Sequence, residues 1–225
     1  MVSTRWHHFP DAAAVATETV RRVLAAAQQA IAARGVFRLV LAGGGTPEQA
    51  YRQLAASDGD WSRWHIYLGD ERCLPPDDAG RNSVMAERAW LAGSNVPTEN
   101  VHWIPAELGA GAAADAYQTL IEPALPFDLV LLGMGEDGHT ASLFPEHRHD
   151  AARLVVPVDH APKPPPERVS LNFPALKQTR EMLLLITGAG KSEAVHRWRD
   201  GETLPVAMLE CDAGIDVLID QAATG

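Results

Sequence analysis

Apolar positions along the chain recur at two periods, and the switches between them mark out its elements. Over residues 11–34 an alanine-rich segment carries Val15, Val20, Val23, Leu24, Ala27 and Ile31 at near-helical spacing, and Gly35 ends it. Val36-Phe-Arg-Leu-Val-Leu-Ala42 follows, a short run of the kind buried on both faces of a sheet. The alternation then repeats. Helical patterns fall at 47–56, 83–91, 112–121 and 191–198, while apolar runs at 65–68, 127–132, 182–187 and 215–219 read as strands. A short run at 101–104 and weaker ones at 154–158 and 168–171 are further strand candidates. The proline-rich 161–166 reads as an extended loop. Strands alternating with helices predict an α/β fold, a mostly parallel Rossmann-like sheet with helices on both faces. No linker, repeat or low-complexity tract divides it, so residues 1–225 read as one domain.

The formal net charge of −10 argues against a nucleic-acid partner, which needs a basic face. No apolar run approaches the ~18 residues of a membrane span. Residues 1–10 carry Arg5, His7 and His8 and lack the apolar core of a secretory leader. Two cysteines, Cys73 and Cys211, make no disulfide framework and suit a reducing compartment. These features predict a cytoplasmic protein, a monomer as its simplest assembly, whose partner is a small molecule. If that molecule is an anion, so acidic a chain must gather basic side chains locally to hold it.

Three of the strong strands end in glycine turns, and in this fold class ligands gather beyond the carboxyl ends of strands. The first turn is Leu41-Ala-Gly-Gly-Gly-Thr-Pro47. Its glycines let backbone approach an anion, Thr46 and Gln49 stand at capping-box spacing, and Pro47 suits a first helical position. Free amides at such a helix start favour a phosphate; a tight turn with a capped helix is the plainer reading. In the second turn Gly133, Gly135 and Gly138 match the dinucleotide fingerprint, but Pro145 leaves no room for its crossover helix, so no nucleotide cofactor is expected. What this loop offers is Asp137-Gly-His139, a neutral imidazole able to take a proton near pH 7 beside a carboxylate able to orient it. The third turn, Ile186-Thr-Gly-Ala-Gly-Lys-Ser192, ends like a P-loop but is too short to wrap a triphosphate. Lys191 there is still able to reach a single phosphate.

Taken in order, these stretches resemble the 6-phosphogluconolactonases, relatives of the glucosamine-6-phosphate deaminases. The resemblance rests on Ala-Gly-Gly-Gly-Thr-Pro (42–47), Gly-Asp-Glu-Arg (69–72), Arg81-Asn82-Ser83, the histidine loop (133–145), Arg168-Val-Ser-Leu171 and Thr-Gly-Ala-Gly-Lys (187–191). It implies hydrolysis of 6-phospho-D-glucono-1,5-lactone, a step of the pentose phosphate pathway. His139 would be the general base, Asp137 its partner, and Arg72 a contact near the reacting carbonyl. Gly44, Gly45 and Thr46 would hold the phosphate, with Arg168 and Lys191 supplying charge. The family usually has Ser where this chain has Gly45, which removes one hydroxyl contact. The deaminases carry a glutamate five residues after the loop histidine; here that position is Phe144, which favours the lactonases. A lactone is already an activated ester, so water, a base and oxyanion stabilisation suffice and no cofactor is expected.

His147 and His149, flanking Arg148, have neither the helical spacing nor the cysteine partner of a metal site, so no metal is expected. Cys73 has no adjacent histidine to activate it. The six tryptophans are scattered and read as packing residues. Two alternatives remain beside the hydrolase: a deaminase-like isomerase, and a catalytically silent sugar-phosphate sensor on the same fold.

Overall fold

The computed structural model describes residues 3–225; Met1 and Val2, the start of the segment weighed above as a leader, lie outside the described residues. Its first element, β1 (Thr4–Phe9), is one the hydrophobic pattern does not announce, because only Trp6 and Phe9 in it are apolar. Asp11 then caps α1 (Ala12–Arg34) by accepting from the Ala14 amide, and Gly35, at φ +74°, closes the helix. Small side chains at Ala16, Ala26, Ala27 and Ala30 face the core, which lets this long helix lie close to the sheet. There follow β2 (Phe37–Leu41), α2 (Gly45–Ala55), β3 (Trp64–Leu68), β4 (Asp70–Arg72), α3 (Asn82–Ala89), β5 (Val101–His102), α4 (Ala110–Ile121) and β6 (Phe127–Gly133). The last part of the chain contributes β7 (Val155–Val158), β8 (Arg168–Leu171), α5 (Phe173–Lys177), β9 (Thr179–Ile186), α6 (Ser192–Arg199), β10 (Ile215–Asp220) and α7 (Gln221–Thr224).

Seven strands form one parallel sheet in the order β1-β10-β9-β6-β2-β3-β5. Residues 127–132 of β6 are buried without interruption. Successive side chains point to opposite faces, so both faces of the sheet are covered, as the pattern predicts. The two weaker strand candidates do not join it. As β7 and β8 they pair antiparallel with each other, and β4 adds to β8 to make a separate three-stranded sheet.

The strand order reverses between β6 and β2, the place where such sheets open a crevice. The β2–β6 ladder stops at Val40↔Val130, three residues short of the end of β6 at Gly133, so the strand ends part there. Two buried tyrosines fix the neighbouring strand ends. Tyr51 of α2 donates its hydroxyl to the Ala42 carbonyl and accepts from the Ala42 amide, both at 2.9 Å. Tyr117 of α4 does the same at Leu68, at 3.1 and 2.8 Å.

Candidate active site

A cleft of about 270 Å³ opens where β2 and β6 part, close to the lower end of the ~300–1,000 Å³ usual for small-molecule sites. All three glycine turns reach it. Gly44 comes from the first, His139 from the second and Lys191 from the third, while Arg72 and Arg168 enter from the small sheet.

The first turn differs from the expected capping box. α2 starts at Gly45 rather than Pro47, with Gly44 as its N-cap at φ +111° and no side chain bonding its first amides. Only glycine takes that φ without strain, which lets the helix begin two residues early. Thr46 is therefore inside the first turn of the helix, and its hydroxyl is 2.6 Å from that of Thr187. Gly44 lines the cleft; Gly45 and Thr46 do not. The uncapped amides at this helix start remain open to an acceptor.

In the second turn His139 Nδ1 lies 2.5 Å from Asp137 Oδ1, and the same oxygen accepts from the His139 amide at 3.2 Å. The loop is drawn tight by the Gly135 amide bonding the His139 carbonyl at 2.8 Å. Gly135 has to be glycine here: a Cβ on it would come within 2.0 Å of His139 Nδ1. With Nδ1 held by the carboxylate, Nε2 is the nitrogen left to exchange a proton. Burial pushes the His139 pKa below its ordinary value, against the opposing pull of Asp137. Burial thus favours the neutral imidazole. Burial alone would raise the Asp137 carboxyl, but its contacts with His139 outweigh that and hold it below the usual range. Phe144 packs on the His139 ring with centroids 4.5 Å apart.

Arg72 and Arg168 stand directly opposite each other across the β4–β8 ladder, a placement that is unfavourable for like charges unless an anion lies between them. Both guanidinium groups bond backbone carbonyls, Arg72 that of Gly80 and Arg168 those of Lys163 and Pro165. Arg72 Nε is buried without a partner among the described residues. Burial lowers the pKa of both Arg168 and Lys191, as expected of cations withdrawn from water.

Asp70 and Glu71 take separate structural roles. Glu71, fully buried, accepts from the amides of Arg72, Asn82 and Ser83 at 2.7–2.8 Å and so anchors the start of α3. Asp70 accepts from Ser142 Oγ at 2.6 Å and Asn82 Nδ2 at 3.0 Å, tying the histidine loop to β4. Gly43 makes room for Asn82, whose Oδ1 would be 2.2 Å from a Cβ there. Lys163 and Glu136 also line the cleft, and the sequence reading missed both. The one signal for Lys163 was a lone cation inside a proline tract. His147 and His149 lie outside the cleft, their ring centroids 6.3 Å apart.

Residues 10–218 match the family model described as glucosamine-6-phosphate isomerases/6-phosphogluconolactonase. The chain belongs to this family. Within the family it is 40% identical over 203 residues to the 6-phosphogluconolactonase of Mycobacterium tuberculosis, covering 83% of this chain and 82% of that one. A probable chloroplastic 6-phosphogluconolactonase of rice, Oryza sativa subsp. japonica, is 35% identical over 212 residues, and this chain spans 64% of its length. The crystal structure of 6-phosphogluconolactonase from Thermotoga maritima superposes with a TM-score of 0.91 at 28% identity, covering 97% of this chain and all of that one.

Proposed function

We propose that this chain hydrolyses 6-phospho-D-glucono-1,5-lactone to 6-phosphogluconate. The observation that carries the reading is the His139 imidazole held 2.5 Å from the Asp137 carboxylate, opening on a cleft edged by Arg72, Arg168 and Lys191. His139 Nε2 takes a proton from a water, and the resulting hydroxide adds to the C1 carbonyl. The tetrahedral oxyanion is met by a guanidinium, with Arg72 assigned to this end. Collapse breaks the bond from C1 to the ring oxygen, and the imidazolium returns its proton to that oxygen as it leaves. Asp137 holds the tautomer and supports the transient imidazolium charge. The phosphate is held by Lys191, Arg168 and the open amides at Gly44, Gly45 and Thr46, which gives the acidic chain its local basic site.

A deaminase-like reaction would need a second acid–base group near the histidine. The position five residues after His139 is Phe144, buried against the imidazole, and its ring exchanges no proton. All the proposed residues come from one chain, so a monomer is sufficient, and two free thiols suit the cytoplasm. No helix among the described residues is long and apolar enough to cross a membrane. The test is hydrolysis of lactone generated in situ, read above the spontaneous background, with the native chain and His139→Ala. Rapid turnover abolished in the variant is the expected result. Tight binding of 6-phosphogluconate without turnover by the native chain would leave the sensor reading in its place.

A further inference from the structure

Glu136 and Lys163 have no part in the hydrolysis above, yet they meet across the cleft, with Lys163 Nζ 2.8 Å from Glu136 Oε2. Lys163 is presented by a closed loop. The Ala161 amide bonds the Pro166 carbonyl at 2.9 Å, and the Arg168 guanidinium grips the carbonyls of Lys163 and Pro165. Prolines at 162, 164, 165 and 166 leave this loop few other conformations. Glu136 belongs to the histidine loop and also reaches the third turn, where a Cβ on Gly190 would be 3.1 Å from Glu136 Oε1. Its carboxylate thus lies near two lysines, Lys163 and Lys191. Lys163 first, and then the charge of Lys191, hold its pKa below the usual carboxylate value.

The Glu136 and Lys163 side chains are 57% and 64% exposed, so their ion pair adds little stability and exchanges readily. A phosphate dianion carries about twice the charge of a carboxylate and three acceptor oxygens, and it should displace Glu136 from the lysines.

We propose that Glu136 is a built-in competitor for the phosphate of the ligand: it occupies Lys163 in the empty cleft, yields it to the entering dianion, and reclaims it as product leaves. The identity of the ligand rests on the hydrolase reading. Ring opening adds a carboxylate to a molecule that already carries phosphate, so the product is the more anionic species and binds a basic cleft more tightly than the lactone. A resident carboxylate counters that retention. Lys163 accordingly contacts phosphate, and Glu136 tunes its affinity without touching the reacting atoms.

The test uses Glu136→Gln, which keeps the shape and removes the charge, and Lys163→Met. Calorimetry with 6-phosphogluconate, inorganic phosphate and gluconate gives affinities that need no turnover, and thermal melts verify folding. Glu136→Gln is expected to bind 6-phosphogluconate and phosphate about tenfold tighter, the scale of one charge-assisted contact. Lys163→Met is expected to lose about tenfold for 6-phosphogluconate and far less for gluconate. In the double variant the gain from Glu136→Gln should shrink, because its competitor for Lys163 has gone. Affinities for 6-phosphogluconate within about twofold of native in Glu136→Gln, or equal losses for both sugars in Lys163→Met, would overturn the proposal. Those shifts in a chain that never turns over lactone would remove the hydrolase reading alone; turnover without them would remove only this one.

Discussion

Replacing Gly135 with Ala perturbs the His139–Asp137 pair through a single methyl group. An ideal Cβ at 135 would lie 2.0 Å from His139 Nδ1, 2.1 Å from Cε1 and 2.7 Å from Asp137 Oδ1. Ordinary contact begins at 3.4 Å, so the imidazole must retreat by about 1.4 Å, the difference between 3.4 and 2.0 Å, and the carboxylate by about half that. Gly135 is not in the left-handed region, so alanine imposes no backbone strain of its own and the effect is steric. A misplacement of ~1 Å at a reacting group costs on the order of 10² in rate, or ~2.7 kcal/mol of barrier. Displacement of His139 from the cleft altogether would approach the ~10²–10⁴ of a lost general base. Initial rates of acid release from lactone made in situ, corrected for spontaneous opening, give kcat. Gly111→Ala is the control, since Gly111 lies on α4 outside the cleft and a Cβ there meets nothing within 4 Å. A folded Gly135→Ala variant with kcat within about threefold of native would show that the pair is not the base of the reaction.

Further expectations follow from the same geometry. Because the proposed reaction needs neutral His139 and burial lowers its pKa, kcat/KM should hold its plateau below pH 6.5 and fall only as pH drops through that lowered value. Asp137→Asn removes the carboxylate that props His139 up, so a pH–rate profile should show the acid limb moved further down, with kcat reduced ~10²–10⁴. Gly45→Ser restores a hydroxyl in open space beside the free amides of α2. KM should fall by up to about fivefold at constant kcat, as one net hydrogen bond allows. Glu71→Ala strips three amides of their acceptor and leaves buried Arg81 without the carboxylate 3.4 Å away; urea unfolding should register a loss of ~3 kcal/mol.

The central strands were legible because β2, β6 and β9 are nearly continuous apolar runs, which only a sheet covered on both faces accommodates. β1 escaped because Thr4-Arg-Trp-His-His-Phe9 sits at the sheet edge, where one pairing partner, β10, is enough. β4 had no hydrophobic signal at all: Asp70, Glu71 and Arg72 become a strand only by pairing with β8, a contact nearly a hundred residues away. The same pairing brings Arg72 opposite Arg168, which the spacing of those residues in sequence does not reveal. The histidine loop could be read because Gly135, Asp137 and His139 are close neighbours in the chain. The helix start after the first turn was misplaced because Gly44 at positive φ took the cap position that Thr46 and Pro47 appeared, by residue type, to claim.

The pairing of β1 with β10 sets an order on how the molecule is made. Thr4 lies against Ile215, so β1 leaves the ribosome and waits for a partner more than two hundred residues behind it. At the ~5–20 residues per second of synthesis this is a delay of roughly ten to forty seconds. For the last part of that wait, once β9 has been made, the strand that β10 will join has an open apolar edge, and such edges invite pairing with other chains. The half-polar composition of β1 fits that wait: Arg5, His7 and His8 keep the early strand in water until Asp216 of β10 arrives to bind Arg5 at 2.7 Å and His7 at 2.6 Å.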